Sequence, residues 1–181
     1  MDYAEQISTL QNAELIFDKR QCSQALERMA TEITAKLSDT MPLVLPVMGG
    51  AVVFTGQLLP LLRFPLDFDY IHVSRYGNKL VGGNFEWTRM PKQNMKDRTV
   101  LILDDILDEG HTMAAIYEKA MSLGAKACYT AVFANKLLPH KKPIKADFVG
   151  LDVPNRYVFG FGMDVSGAWR NLPEIYALKQ D

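Results

Sequence analysis

Three aspartates at positions 104–108 are the residues of this chain whose types and spacing best suit ligand binding or acid–base catalysis. Asp104 and Asp105 directly follow an apolar run at 100–103, and Asp108 comes three residues later. Adjacent carboxylates suit the hydroxyl groups of a ribose or a hard cation such as Mg²⁺. A separate carboxylate can act as a general acid or base. An acid pair after a strand can also be simply solvated, so the pair alone leaves both interpretations open.

The next four residues, Glu109-Gly110-His111-Thr112, can bind a phosphate. Gly110 lets the backbone approach a ligand closely, Thr112 supplies a hydroxyl, and the start of the following helix presents unpaired N–H groups. The segment is not a Walker A loop, because the G-x-x-x-x-G-K-[ST] spacing is absent. A phosphate site beside sugar-binding acids predicts a phosphorylated ribose as the ligand.

These side chains need a strand that ends beside the start of a helix. The four aliphatic residues at 100–103 are typical of a strand buried on both faces of a parallel sheet. Residues 113–123 form helices well, and Gly124 is a suitable stop. Ligands of open α/β sheets bind at the carboxyl ends of the strands. We therefore predict an α/β fold whose site lies where this strand ends at the acid pair.

One long helix and several further strands are predicted around this unit. Asp18 is a suitable N-cap for a helix over 19–37. Its apolar face is formed by residues spaced three or four apart: Leu26, Met29, Ile33 and Leu37. A second helix is predicted over 51–62. Strands are predicted over 13–17, 43–47, 67–73, 85–90, 127–134, 148–151 and 157–161.

Length and composition favour one domain spanning 1–181. A chain of 181 residues with 48% apolar content can build one sizeable core. The formal charge of −1 gives no reason to expect nucleic acid or an acidic membrane as a partner. Cys22 and Cys128 are too few for a disulfide framework, which favours a reducing compartment, the cytoplasm. No targeting signal and no membrane-spanning run is predicted.

The segment from Val100 to Thr112 resembles the phosphoribosyl-pyrophosphate motif of the type I phosphoribosyltransferases: four apolar residues, two acids and a loop ending in Gly-x-Thr. The resemblance covers roughly residues 13–178 and is nearest to the 6-oxopurine branch, the hypoxanthine-guanine phosphoribosyltransferases. It implies a mainly parallel twisted sheet flanked by helices, with a core at about 35–150. It also implies a flexible hairpin lid at about 74–90 and a small hood from about 1–20 and 151–181.

The reaction implied by the resemblance belongs to purine salvage. A 5-phosphoribosyl group passes from phosphoribosyl pyrophosphate to N9 of hypoxanthine or guanine, giving IMP or GMP and pyrophosphate. The implied cofactor is Mg²⁺, the implied partners are these small substrates, and the implied assembly is a homodimer or homotetramer.

The resemblance also implies a role for each matching residue. Asp108 would be the general acid or base at purine N7, and Lys136 would donate to the purine O6, which suits a 6-oxo and not a 6-amino base. The purine site would also include Tyr157, Val158 and Asp164. Phosphoribosyl pyrophosphate would be bound by Met48, Gly49, Asp104, Asp105, Glu109, Gly110, His111, Thr112 and Arg170. The Mg²⁺ would be held by Asp104, Asp105 and Asp164.

Two positions depart from the family pattern. Met48 stands where the family has a lysine, so only the backbone of the Met48-Gly49 step is expected to contact pyrophosphate, and whether its peptide is cis stays open. Arg75 takes the place of the serine in the lid's Ser-Tyr pair, while Tyr76 is retained. A lid suits this chemistry because a cation-like ribosyl centre must be kept from water.

Other functions are weighed against the enzyme. A non-catalytic nucleotide sensor of the same fold should have lost some of Asp108, Lys136, Asp164 and Arg170, yet all are present. In a phospho-acceptor signalling domain the acid pair follows the first strand, whereas here it comes midway with a phosphate loop attached. A phosphoribosyltransferase for another base, such as xanthine, stays open. The basic segment 137–145 is interpreted as a solvated connector.

Overall fold

The computed structural model describes residues 2–75 and 85–179 of the chain. The strands are β1 (Glu14–Phe17), β2 (Leu43–Met48), β3 (Asp67–Phe68), β4 (Ile71–Arg75), β5 (Phe85–Arg89), β6 (Thr99–Leu107), β7 (Ala127–Lys136), β8 (Phe148–Val153), β9 (Val158–Phe159) and β10 (Ile175–Ala177). The helices are α1 (Tyr3–Asn12), α2 (Lys19–Leu37), α3 (Val52–Leu58), a 3₁₀ turn at Leu59–Leu61, and α4 (His111–Ser122). No helix in these two ranges is long and apolar enough to cross a membrane.

The larger sheet has the strand order β5-β4-β2-β6-β7-β8, with β3 beside β2. Its pairs are parallel except for β4 and β5, which form an antiparallel hairpin. Both faces are covered, and β6 shows this directly: Leu101 and Leu103 pack into the cluster that contains α2, while Val100 and Ile102 pack into the one that contains α4. The predicted α/β fold with a mainly parallel, helix-flanked sheet is therefore confirmed.

A smaller antiparallel sheet has the order β1-β10-β9 and brings the two ends of the chain together. Its inward residues, such as Val158 and Ile175, share the core cluster of α2. Helix α1 precedes this sheet and was not predicted, because its apolar face is small and none of its residues is buried. The Asp2–Glu5 capping box at its start was the available signal.

The long helix has the predicted bounds. Asp18 caps α2, with Gln21 completing a capping box, and the predicted apolar face is buried. The helix predicted over 51–62 is shorter: α3 gives way to a 3₁₀ turn that contains Pro60, which has no N–H to donate. Helix α4 begins at His111, two residues earlier than predicted.

The continuous strand predicted over 67–73 was wrong, because it divides into β3 and β4 at Asp69. The Asp69 carboxylate is buried and accepts hydrogen bonds from the backbone N–H groups of Tyr70, Lys92 and Gln93. It also pairs with Arg89 at 2.9 Å. The Asp69 side chain therefore interrupts the strand and connects the two sides of the base of the β4–β5 hairpin.

The expectation that β6 ends before the acid pair was also wrong. Pairing with β2 stops at Pro46–Leu103, but pairing with β7 continues to Leu107–Asn135. The longer neighbour β7 therefore extends β6 through Asp104 and Asp105. Both acids lie inside the strand, on a stretch whose β2 side is open.

Candidate active site

The open stretch of β6 uses its own carboxylates to satisfy backbone amides. Asp104 Oδ1 accepts a hydrogen bond from the N–H of Asp105 at 3.0 Å, and Asp105 Oδ1 accepts one from the N–H of Ile106 at 2.9 Å. Burial raises the pKa of both carboxyl groups above the ordinary range. For Asp104 the neighbouring charge of Asp105 adds to this rise, because two adjacent anions oppose each other's ionisation.

Asp105 is enclosed by two loops that come from distant parts of the sequence. A Cβ on Gly50, in the turn after β2, would overlap the Asp105 carboxylate. A Cβ on Gly162, beyond β9, would overlap the carbonyl oxygen of Gly50, and Gly162 has φ +105°. These glycines let three chain segments meet at one carboxylate. Their contact role was missed, since sequence alone shows only that they lie in turns.

Arg170 connects the loop after β9 to the acid pair. Its Nη2 lies 2.6 Å from Asp164 Oδ1, and its Nη1 lies 3.9 Å from Asp105 Oδ2. Nη1 also donates to the carbonyl oxygen of Gly162 at 2.6 Å. Asp164 Oδ2 accepts from the N–H of Gly167 at 2.8 Å. The guanidinium is therefore held at the edge of the site with donors remaining for an anionic ligand.

The predicted phosphate loop borders the first of two cavities at the site. Gly110 precedes α4 with φ +83°, a conformation that favours glycine. The cavity measures about 210 Å³ and is lined by Asp104, Asp105, Ile106, Leu107, Asp108, Glu109, Gly110, Thr112 and Met113. His111 is exposed and does not line it.

The second cavity measures about 200 Å³ and shares part of its wall with the first. It is lined by Asp105, Ile106, Asp108, Lys136, Tyr157, Val158, Met163 and Asp164. Asp105, Ile106 and Asp108 therefore border both spaces. Met163 was not predicted, because a methionine in a glycine-rich loop carries no sequence signal for a binding role.

Lys136 and Asp108 form an ion pair inside the second cavity. Lys136 Nζ lies 2.8 Å from Asp108 Oδ2, with the lysine side chain 13% and the aspartate side chain 51% exposed. Tyr157 is 53% exposed, and its hydroxyl donates to the backbone oxygen of Asp164 at 3.2 Å. A cationic donor, an open aromatic ring and a movable carboxylate thus surround a space suited to a flat, polar ring.

The remaining predicted residues lie at strand ends. Met48 ends β2, and the Met48–Gly49 peptide is cis. Arg75 ends β4, opposite Phe85 of β5. Tyr76 lies outside the described residues, so the role of both lid positions stays a prediction.

Part of the basic segment 137–145 is not the solvated connector that was predicted. Lys142 is partly buried, and its Nζ donates to the carbonyl oxygen of Leu107 and to Asn135 Oδ1. His140 Nε2 lies 2.9 Å from Glu109 Oε2. The interpretation was wrong for Lys142, which contacts the strand before the phosphate loop, whereas His140 is exposed and contacts Glu109 of that loop.

Comparison with known proteins assigns the chain to a family. The family model described as "Phosphoribosyl transferase domain" matches residues 12–166. The chain is a phosphoribosyltransferase. It is 32% identical to the hypoxanthine-guanine phosphoribosyltransferase of Bacillus subtilis (strain 168), over 91% of this chain and 92% of that one.

Solved phosphoribosyltransferase structures resemble this chain over nearly its whole length. A hypoxanthine-guanine-xanthine phosphoribosyltransferase shares 28% identity with a TM-score of 0.80, covering 92% of this chain and 94% of that chain. A hypoxanthine phosphoribosyltransferase from Staphylococcus aureus has a TM-score of 0.88 at 22% identity, covering 95% of each chain. The second likeness supports the fold alone.

The acid pair of this phosphoribosyltransferase site offers a donor set that suits a divalent cation bound together with substrate. Within residues 2–75 and 85–179, no group of three or more His, Cys, Asp or Glu side chains is arranged to hold a metal. Asp104 and Asp105 do offer two adjacent buried carboxylates, and Arg170 lies 3.9 Å from the second of them. Mg²⁺ commonly binds one or two carboxylates together with substrate phosphates, so the donor set fits that mode.

Proposed function

We propose that this protein is a purine-salvage enzyme that transfers 5-phosphoribosyl from phosphoribosyl pyrophosphate to N9 of hypoxanthine or guanine. The products are IMP or GMP and pyrophosphate. The observation that carries the proposal is the pair of cavities joined at Asp105, Ile106 and Asp108. One cavity has the groups that a sugar phosphate needs, and the other has those that a 6-oxopurine needs.

The sugar phosphate occupies the first cavity in this proposal. The 5-phosphate binds the backbone of Glu109–Thr112 at the start of α4, where helix N–H groups favour an anion. His111 contributes through its backbone, because its side chain is exposed. Asp104 and Asp105 accept hydrogen bonds from the ribose hydroxyls. Their negative charge also stabilises the oxocarbenium-like sugar that forms as the bond to pyrophosphate breaks.

The purine occupies the second cavity. Lys136 donates to the exocyclic O6, Tyr157 stacks on the ring, and the backbone of Val158 bonds the base edge. Asp108 exchanges a proton with N7 as the general acid or base. Its position on the shared wall supports this role, since it lies between the sugar and the base.

The leaving pyrophosphate is bound by Arg170 and by the backbone of Met48 and Gly49. Asp104, Asp105 and Asp164 would hold Mg²⁺, although Asp164 Oδ1 already pairs with Arg170. When bound, the cation neutralises charge on the leaving group. Without it, the buried acids would face an anionic substrate directly.

We propose the same organisation as in the resembled family for the whole chain. Residues 1–181 form one domain, the small sheet of β1, β9 and β10 is the hood, and about 74–90, which includes Arg75 and Tyr76, is the lid. The enzyme is expected in the cytoplasm, as a homodimer or homotetramer.

Sedimentation equilibrium of the purified chain tests the assembly, and a monomer at micromolar concentration contradicts it.

The decisive experiment incubates the purified protein with phosphoribosyl pyrophosphate, Mg²⁺ and one purine base at a time, and identifies nucleotides by chromatography. We expect IMP and GMP, and no AMP. XMP as the main product would make xanthine the substrate. Binding of phosphoribosyl pyrophosphate without any nucleotide would instead favour a non-catalytic sensor.

Lys136→Met tests the assignment of the base site. It is expected to lower kcat/KM for hypoxanthine by about 10²–10³-fold, because a buried O6 loses its donor. The exposed Lys126→Met is the matched control and should behave as wild type. AMP formation by the wild type, or an unaffected Lys136→Met, contradicts the role.

A further inference from the structure

Lys142 links the ends of two central strands from outside the proposed site. Its Nζ donates to the carbonyl oxygen of Leu107 at 2.6 Å and to Asn135 Oδ1 at 2.8 Å. Leu107 is the last residue of β6 and is directly followed by Asp108. Asn135 is the penultimate residue of β7 and directly precedes Lys136. One ammonium therefore touches the neighbours of both members of the Lys136–Asp108 ion pair.

The acceptors of Lys142 are themselves fixed. Leu107 is 3% exposed, and the Nδ2 of Asn135 donates to Asp152 Oδ1 on β8 at 2.7 Å. Burial lowers the pKa of Lys142 below its ordinary value, while the nearby carboxylates of Asp108 and Glu109 oppose that change. The two short hydrogen bonds offset the cost of partly burying the Lys142 ammonium, and they tie its two acceptors to one point.

The segment that carries Lys142 also packs against the phosphate loop. A Cβ on Gly110 would lie 3.5–3.6 Å from Lys142 Cβ, Pro143 Cδ and Ile144 Cγ2, which is ordinary contact distance. The loop between Asp108 and α4 is thus supported from behind by residues 142–144. Lys142 does not line either of the two site cavities.

We propose that Lys142 is a positioning residue of this transferase: through the carbonyl oxygen of Leu107 it sets where Asp108 stands against Lys136. The inference rests on the proposed function. Leu107 O belongs to the same planar peptide unit as the N–H of Asp108, so holding that oxygen fixes the orientation of the next residue. Asp108 needs this support because its side chain is half exposed.

The first test compares Lys142→Met with Lys141→Met, a loss of the same charge one residue away at an exposed position. Because a misplacement of about 1 Å can cost about 10²-fold in rate, we expect Lys142→Met to lower kcat by about 10- to 100-fold. The KM for phosphoribosyl pyrophosphate should change less than kcat, and Lys141→Met should match wild type. Thermal melts report whether each variant is folded.

A double-mutant cycle with Asp108→Asn separates positioning from a general structural role. If Lys142 acts through Asp108, Lys142→Met should reduce kcat little further in the Asp108→Asn background. An equal fold-loss in both backgrounds overturns the proposal. An unchanged kcat for folded Lys142→Met in the wild-type background overturns it as well.

Chemical rescue tests the role of the ammonium itself. Recovered activity also shows that the loss in the variant was not caused by misfolding. In Lys142→Cys the introduced thiolate attacks 2-bromoethylamine, a carbon–sulfur bond forms as bromide leaves, and an ammonium returns at nearly the original length. Cys22 and Cys128 are buried, and burial raises the pKa of each thiol to about 12, so both should be spared.

We expect bromoethylamine to restore most of kcat and the uncharged cap iodoacetamide to restore none. Equal activity after either reagent overturns the proposal. Failure of the proposed function is distinguishable, because wild-type protein then forms no nucleotide with any base. If wild type is active and Lys142→Met is equally active, only this inference fails.

Discussion

At the scale of single residues, the acid pair of β6 is placed for binding at a cost to folding. Asp104 and Asp105 are buried next to each other, and burial raises the pKa of both, so their charged forms oppose the folded state. Substrate hydroxyls and a cation would relieve this cost on binding. The free protein therefore carries a charge arrangement that only its ligands complete.

Asp104→Asn is expected to raise the Tm of the free protein at neutral pH by a few degrees, since each kcal/mol shifts Tm by about 2–4 °C in a chain of this size. The amide oxygen can still accept from the N–H of Asp105. Because the folded-state pKa of Asp104 is raised, its cost is present above that pKa and disappears as the pH falls towards the unfolded value of about 3.9. The gain should therefore shrink at acidic pH.

Thermal melts in EDTA across pH 4–8 measure this gain. The exposed Asp39→Asn, which removes the same charge, should leave Tm nearly unchanged at every pH. A wild type that is more stable than Asp104→Asn at pH 8 would contradict the expected direction.

Asp108→Asn should slow nucleotide formation by about 10²–10⁴-fold, the usual loss when a general acid or base is removed. Affinity for phosphoribosyl pyrophosphate should stay nearly intact, because the proposed contacts to its ribose and 5-phosphate come from Asp104, Asp105 and the backbone of Glu109–Thr112. Steady-state kinetics and a direct binding assay measure the two quantities. Weaker binding with normal turnover would reverse the assignment.

The residue types of the site were predictable because most of them lie in short segments. Residues 104–112 can be read from one stretch, and their order indicates what they bind. The enclosure of Asp105 was not predictable, because Gly50 and Gly162 reach it only after the chain has folded. The hydrogen bonds of Lys142 were not predictable either, since a lysine between prolines in a basic segment is usually solvated.

At the scale of elements, the loop after β9 and the turn after β2 are packed backbone to backbone around Asp105. That loop carries Gly162, Asp164 and Arg170, so its position fixes Arg170 relative to the acid pair. A glycine contact between these segments is thus part of the site's geometry.

Gly162→Ala is expected to lower both Tm and kcat/KM substantially, because its Cβ would overlap the carbonyl oxygen of Gly50 at a φ of +105°. Gly167→Ala is the matched control: it has φ +83° in the same loop, but nothing lies within 4 Å of its Cβ position. Gly167→Ala should show only the strain of a positive φ, about 1–2 kcal/mol. Equal losses in the two variants would contradict a role for the Gly50 contact.

Element bounds were predictable where local signals decided them. Helix α2 has its predicted bounds because an N-cap and an apolar period define it. The end of β6 was misplaced because the length of β7 decides it, and the split between β3 and β4 depends on Arg89 and backbone groups about 20 residues away.

At the scale of the whole molecule, the two ends of the chain meet in one small sheet beside the site. β1 and β10 pair directly, and β9 leads into the loop that carries Asp164 and Arg170. The fold class followed from the sequence because alternating buried strands and helices permit few arrangements. The joining of the two ends was implied only by the family resemblance, as a hood from about 1–20 and 151–181, since short strands of two to four residues carry little periodicity.

Phosphoribosyl pyrophosphate with Mg²⁺ should stabilise the whole fold. At about 100 times Kd, binding contributes about 2.7 kcal/mol, which corresponds to a rise in Tm of about 5–10 °C. Asp105→Asn should reduce this shift, and inorganic phosphate at the same concentration should give a much smaller one. Wild-type protein whose Tm does not respond to the substrate would contradict the assignment of the first cavity.

The unequal pairing of β6, which ends at Leu103 towards β2 and at Leu107 towards β7, has a consequence for engineering. Here the staggered strand lengths leave a recess on the β2 side of Asp104 and Asp105, and the loops after β6 and β9 complete the walls of the two cavities. Such a recess can be resized in single-residue increments: extending β2 would fill it, and trimming β7 would flatten it. Strand length is therefore one means by which a designer can change the volume of these cavities without substituting the acids.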